Sequence, residues 1–293
     1  MVRSPESVTL LAGDVRVDIK PALGGAVTRF SKGEIDLFRR ASPAVSDVVQ
    51  TGCFPLVPFC NRIRDGRFAF DGKEVRLTPN LPPQRHPLHG QGWREPWRVS
   101  DFGDFSVTLD YRHRPGEWPW AYLARQRFEV DEAGLTITLE CRNEADGPMP
   151  CGLGFHPFFD APPDTVLDTR VSGVWTIDEE IMPVALEPAV GRYDLAERNI
   201  AGADLDNGYE GWGGSAEVRW PSRGAGVRIT SAAPRFQVYA PTDLPVLCAE
   251  PVTNANDALS RPSSEWPSLG IEVLQPGEAL QLEARFEALT AKV

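Results

Sequence analysis

Apolar and polar residues alternate along most of this chain. Val15, Val17 and Ile19 are separated by Arg16 and Asp18, and Val107 and Leu109 by Thr108. Leu135, Ile137 and Leu139 follow the same rule, as do Val227 with Ile229 and the run Leu280, Leu282, Ala284, Phe286. Successive side chains of a strand point to opposite faces. A period of two therefore describes strands with one dry and one wet face, the pattern of antiparallel sheets. Turn residues punctuate the runs. Asp71-Gly72 stands between Phe68/Phe70 and Val75/Leu77, and both residues tolerate the positive φ that a two-residue hairpin demands. Twenty-seven prolines and 26 glycines work against long helices, since proline lacks an amide donor and glycine loses most entropy in a helix. The one helix these patterns predict is short, Tyr193 to Arg198. No repeat or linker interrupts the sequence, so residues 1–293 are expected to form a single all-β domain of stacked antiparallel sheets.

Composition narrows the class without changing it. Hydrophobic residues make up 42% and charged residues 24%, the balance of an ordinary globular protein. No run of 18 apolar residues occurs, so no membrane-spanning helix is expected. The opening MVRSPESVTLLAG has no uninterrupted apolar stretch of the kind that marks a signal peptide, and reads as mature sequence. The net charge of −11 repels phosphate backbones and anionic lipid, which argues against nucleic acid or a membrane as partner. Five cysteines (Cys53, Cys60, Cys141, Cys151, Cys248) are scattered, odd in number and without a CxxC pair. That spacing suits reduced thiols in a cytoplasmic protein.

The chemistry concentrates in a few stretches. Asn61 to Trp97 joins an amide and an arginine to a hairpin, a proline-rich loop and the segment HPLHGQGW. This mixture of donors, imidazoles and flat apolar rings suits a polar ring-shaped ligand such as a sugar. Of the four histidines, His113 sits in a charged run and reads as structural. His86 and His89 share the loop, and His156, followed by Pro157 in GFHPFF, is expected at a strand end. Glu250 follows the uncharged run Pro245–Ala249, where partial desolvation would raise its pKa and make it a better base. Asp206, in LDNGYEGW, fits either a hydroxyl-binding loop or a turn in which it caps backbone amides. Arg62 fits either a fork for ligand oxygens or a salt bridge with Asp65 or another acid. A metal centre built from His86, His89, His156 and Glu250 is a competing use of the same residues. No Walker loop, GxGxxG or GxSxG elbow occurs.

Taken in order, GGAVTRF, NRIRDGRFAFDGK, HPLHGQGW, GEWPW, GFHPFF, LDNGYEGW, FQVYAP, CAEPVTNANDAL and LQPGE resemble the aldose 1-epimerase (galactose mutarotase) family across nearly the whole chain. The resemblance implies a β-supersandwich and interconversion of the α and β anomers of a hexose, with no cofactor. It implies His156 as general acid and Glu250 as general base, with Asn61, Arg62, His89, Asp206 and Gln237 binding the sugar. Trp93 is a further stacking face, and His86 a neighbour in the loop wall. The chain departs from the common family pattern at Gln91, Pro157 and Pro251-Val252, which leaves acid and base in place and the sugar unspecified. An acid and a base on opposite sides of the ring would open it, with imidazolium and carboxylate coexisting above about pH 4 and the carboxylate raising the histidine pKa. Two alternatives stay open: epimerisation of a phosphorylated or sulfonated hexose, with Arg64, Arg67 or Arg94 meeting the anion, and a sugar-binding protein without catalysis. The partner expected is a small sugar, and the chain a monomer or homodimer.

Overall fold

A computed structural model describes residues 5–290. Two large antiparallel sheets dominate it, the β-supersandwich expected. The first has 11 strands, in the spatial order Val8–Ala12, Val15–Lys20, Ala26–Lys32, Cys53–Leu56, Gly154–Asp160, Val246–Val252, Arg235–Ala240, Leu205–Glu210, Gly173–Ile177 and Pro183–Pro188, with Ile35–Asp36 pairing off this path. The second has nine strands and is centred on Ala279–Thr290, Gly134–Asn143 and Tyr122–Asp131. The alternation read from the sequence is the alternation of burial. Val15, Val17 and Ile19 are fully buried, as are Leu135, Ile137 and Leu139. The inner faces of both sheets share one core, in which Phe38 packs edge-on against Phe286 at 4.9 Å.

The middle of the first sheet is different. Every residue of Cys53–Leu56 and of Val246–Val252 is buried. There the outer face is covered too, by a second apolar cluster that contains Phe54, Leu56, Trp93, Phe158, Val246 and Cys248. Residues alternate between the two clusters: Leu247 and Ala249 point to the main core, Val246 and Cys248 to the second. His156 and Glu250 share the parity of the second cluster, so they emerge on the covered outer face.

The Asp71-Gly72 hairpin forms as expected, with Arg67–Phe70 against Lys73–Arg76 and φ of 50° and 70° at the two turn residues. The helix expected at Tyr193–Arg198 does not form. A single 3-10 turn spans Gly191–Tyr193, Asp194 is extended, and Arg198–Asn199 is a short strand. Two forces oppose the helix. The Asp194 carboxylate accepts the Ala196 amide at 3.0 Å, a local bond that competes with helical pairing, and Leu195 is drawn fully into the core. Among the described residues the α-helix that does occur is Trp266–Leu269. No helix of the described residues is long and apolar enough to cross a membrane.

Candidate active site

The outer face of the first sheet holds a cavity of about 360 Å³, the size of a small-molecule site. All seven residues expected to bind or process a sugar line it: His156 and Glu250, with Asn61, Arg62, His89, Asp206 and Gln237. They come from distant parts of the chain, and strand register unites them.

The floor is a row across neighbouring strands. Phe54 pairs with His156, and Glu250 with Gln237. The pairs Gly154–Val252 and Phe158–Cys248 set the register of the strands between, which puts His156 opposite Glu250. Pro157 and Pro251 have no amide to donate here, and the ladder lapses between those two pairs. His156 therefore lies within its strand, not at the strand end expected from Pro157; the proline is tolerated because the ladder is already interrupted. Glu250 likewise lies inside Val246–Val252. His156 Nε2 is 3.4 Å from Glu250 Oε1, as side chains directly opposite on one face should be. No sugar ring fits between atoms that close. The acid and base expected on opposite sides of a ring thus lie side by side on one floor.

Packing fixes the imidazole. Phe54 and Phe158, themselves 5.8 Å apart, each stack against it at 4.6 Å, and His89 meets it edge-on at 5.3 Å. Trp93 stacks under Phe54 and is fully buried, with its indole N–H donated to the carbonyls of Leu88 and Gly90. It supports the wall and has no free face to offer a ring, contrary to expectation.

One wall is polar. Arg62 donates to Asn61 Oδ1 at 3.0 Å and to Asp206 Oδ2 at 3.3 Å, and Gln237 donates to Asp206 Oδ1 at 2.9 Å. The partner of Arg62 is therefore Asp206; Asp65 pairs with Arg85 instead. Asp206 belongs to the strand Leu205–Glu210, so neither loop expected for it is present. Arg62 is held by the segment Asn254–Asp257. Asn254 bonds both the N–H and the C=O of Cys60, Asn256 accepts the Arg62 amide at 3.0 Å, and Asp257 accepts the Arg64 amide at 2.8 Å. This clamp escaped the sequence reading, although the amide-rich run NAND directly after the Glu250 strand is its mark.

The loop HPLHGQGW docks on Val57–Arg62. Asn61 donates its amide to His89 Nδ1, and His89 donates its amide to the Asn61 carbonyl, both at 3.0 Å. With Nδ1 accepting, the neutral ring carries its proton on Nε2. Gly90 has φ of 70°, and a Cβ there would lie 2.2 Å from the Val57 carbonyl oxygen. Only glycine allows the loop so close. His86 stands outside the cavity, with Nδ1 accepting the Asp65 amide at 3.0 Å. The four-residue metal set containing it is not assembled; the ligand-type atoms that do converge, within 4.8 Å, belong to His156, Cys248 and Glu250.

Electrostatics departs most from expectation. Burial, reinforced by the positive charges of Arg39 and Arg62, pulls His156 down to about 3. Burial and the nearby Asp206 push Glu250 well above the ordinary carboxylate range, against the opposing pull of Arg62. Burial likewise holds His89 neutral. A proton held by the pair thus sits on Glu250, leaving His156 neutral. The expected rise of the histidine pKa beside the glutamate charge is outweighed by the larger cost of desolvating both ions.

The three arginines expected to meet an anion lie elsewhere. Arg64 is 3.4 Å from Asp178 and 3.5 Å from Asp257. Arg67 is exposed on the hairpin, and Arg94 is exposed and bonded to the Asn80 carbonyl. Besides Arg62, the arginine that lines the cavity is Arg39, which no local motif marks.

The family model described as aldose 1-epimerase matches residues 6–287. The uncharacterized protein YphB of Escherichia coli K12 is 30% identical over 288 residues, 94% of this chain and 96% of its own length. A crystal structure from Escherichia coli K12 superimposes with a TM-score of 0.88 at 28% identity, covering 97% of this chain and 99% of its own. A galactose mutarotase-like protein of Clostridium acetobutylicum shares the fold, with a TM-score of 0.86 at 16% identity over 97% of this chain and 95% of its own.

Proposed function

Since the chain belongs to the aldose 1-epimerase family, we propose that it interconverts the α and β anomers of a hexose by opening and reclosing the ring, with Glu250 and His156 as the proton-transfer pair. The observation that carries this reading is the 3.4 Å contact between the two groups on the floor of a sugar-sized cavity. The ring oxygen and the anomeric hydroxyl are bound to the same carbon, so two neighbouring groups on one floor can reach both.

The proton inventory supports it. Ring opening takes the proton of the anomeric hydroxyl onto the Glu250 carboxylate, while the His156 imidazolium protonates the ring oxygen. This leaves protonated Glu250 and neutral His156, the state that burial favours. After rotation about C1–C2, His156 takes the proton of the C5 hydroxyl and Glu250 returns its own to the aldehyde oxygen. The other anomer forms and the pair is reset. The two charge states hold the same number of protons, so catalysis needs one proton shared by the pair. Each positioned acid or base is worth roughly 10²–10⁴-fold, enough for a reaction that already proceeds in water. Arg62, Asp206 and Gln237 supply donors and acceptors for ring hydroxyls, and His89 offers Nε2–H. Polarimetry on freshly dissolved α-anomers of glucose, galactose, xylose and fucose tests the proposal. Decay of rotation should be faster than in buffer for at least one sugar. Buffer rates with every neutral and charged aldose would refute it.

A further inference from the structure

We infer that the physiological substrate carries an anionic substituent, a carboxylate, phosphate or sulfonate, and that Arg39 receives it; this rests on the epimerase reading of the same cavity. Three observations point there. First, Arg39 lines the same cavity as His156 and Glu250, beside Val49, whose carbonyl it meets. Its guanidinium lies 4.0 Å over the Phe158 ring, which also stacks on the His156 imidazole at 4.6 Å. A ring seated over His156 and Glu250 therefore has a substituent's reach to Arg39.

Second, Arg39 lacks a counter-ion among the described residues. Nη2 donates to the carbonyls of Val49 at 2.5 Å and Thr51 at 2.7 Å, Nε is buried without a partner, and no protein group bonds Nη1 among the described residues. The carbonyls orient the fork and leave its charge unbalanced. Asp160, the acid that acts on it most, is engaged by Arg223 at 3.7 Å. The fully buried arginines differ: Arg62 meets Asp206 at 3.3 Å and Arg235 meets Glu210 at 2.7 Å.

Third, the surroundings magnify what an anion would gain. A half-buried, uncompensated cation among apolar side chains is costly. A hydroxyl would satisfy one N–H and leave the charge, whereas an oxyanion accepts from the planar fork and neutralises it. The protein is acidic overall, so this is a local exception to its surface field.

The test compares wild type with Arg39→Met and the charge-retaining Arg39→Lys, each checked for folding by circular dichroism. Mutarotation is followed for a neutral hexose, a hexuronic acid, a hexose 6-phosphate and a 6-sulfonated hexose, which separates the three sources of the anion. Wild type should prefer one charged sugar by kcat/KM. In Arg39→Met that preference should fall about 10- to 100-fold, mainly through KM, with partial recovery in Arg39→Lys. Equal use of neutral and charged sugars by wild type would overturn the inference and leave the epimerase reading intact. So would an Arg39→Met variant with undiminished preference. Calorimetric binding of the 6-phosphate, 6-sulfonate and 6-carboxylate of 1,5-anhydroglucitol, which cannot open, separates the two questions. Tighter binding of one of them than of uncharged 1,5-anhydroglucitol, lost in Arg39→Met, upholds the anion site even if no sugar is turned over. Indifference to the charge overturns it.

Discussion

The buried histidine makes a sharp demand on stability. His156 is held neutral in the fold, with a pKa of about 3 against the ordinary 6.5. As pH falls below 6.5 the unfolded chain takes up a proton that the folded chain refuses. The stability this residue permits is complete above the unfolded value and is lost as pH falls toward the folded one. Between pH 7.5 and 5.0 the loss is about 2 kcal/mol. That figure depends on the distance from 6.5 to 5.0 and hardly on where below 5 the folded value lies. Glu250 works in the opposite sense: its raised folded pKa adds stability as pH falls toward 4.5. The causes of its shift are burial, Asp206 and Arg62, all kept in His156→Asn, so comparing the two proteins isolates the histidine. Urea unfolding at both pH values should show wild type losing about 2 kcal/mol more than His156→Asn on acidification. Equal losses, or a wild type favoured by acid, would mean that the fold contains an imidazolium paired with a carboxylate, and would refute the assignment of the proton to Glu250.

Two substitutions test how the site is built. Asn254→Ala leaves the buried Cys60 N–H and C=O without their side-chain partner and should cost about 1–3 kcal/mol in urea unfolding; an unchanged midpoint would show that the clamp is dispensable. Gly90→Ala brings a Cβ to 2.2 Å from the Val57 carbonyl at a φ of 70°. It should displace His89 and raise KM for the sugar several-fold more than it lowers kcat, whereas unaltered kinetics would show that the loop does not position a binding group.

The fold was legible because its information is local. Val15, Val17 and Ile19 announce a one-faced strand whatever they pair with, and Asp71-Gly72 closes a hairpin by its own dihedral preferences. Tyr193–Arg198 misled because six residues carry little helical drive of their own, and the burial of Leu195 and the Asp194 side-chain bond outweigh it. The site residues were nameable through family motifs. Their arrangement was not, because it lies in register: Phe54, His156, Glu250 and Gln237 form one row only after four strands separated by as many as 196 positions are aligned (250 less 54). Phe158 as the second support of the imidazole could have been found, since it stands two residues after His156 and must share its face. Arg39 could not, because nothing in FRRASP distinguishes a cavity arginine from a surface one. The charge state of the pair was misjudged for the same reason: burial is a property of the assembled sheet.

The central claim is that Glu250 and His156 open a sugar ring by passing protons. Exchange between the two anomeric proton resonances at equilibrium, followed by two-dimensional NMR in the presence of the protein, tests it without relying on net conversion. With a sugar that the wild type turns over, exchange should be accelerated, and Glu250→Gln, which keeps the shape of the side chain but can neither take nor return the proton, should lower the enhancement by about 10²-fold or more. An undiminished exchange rate in folded Glu250→Gln would contradict the account.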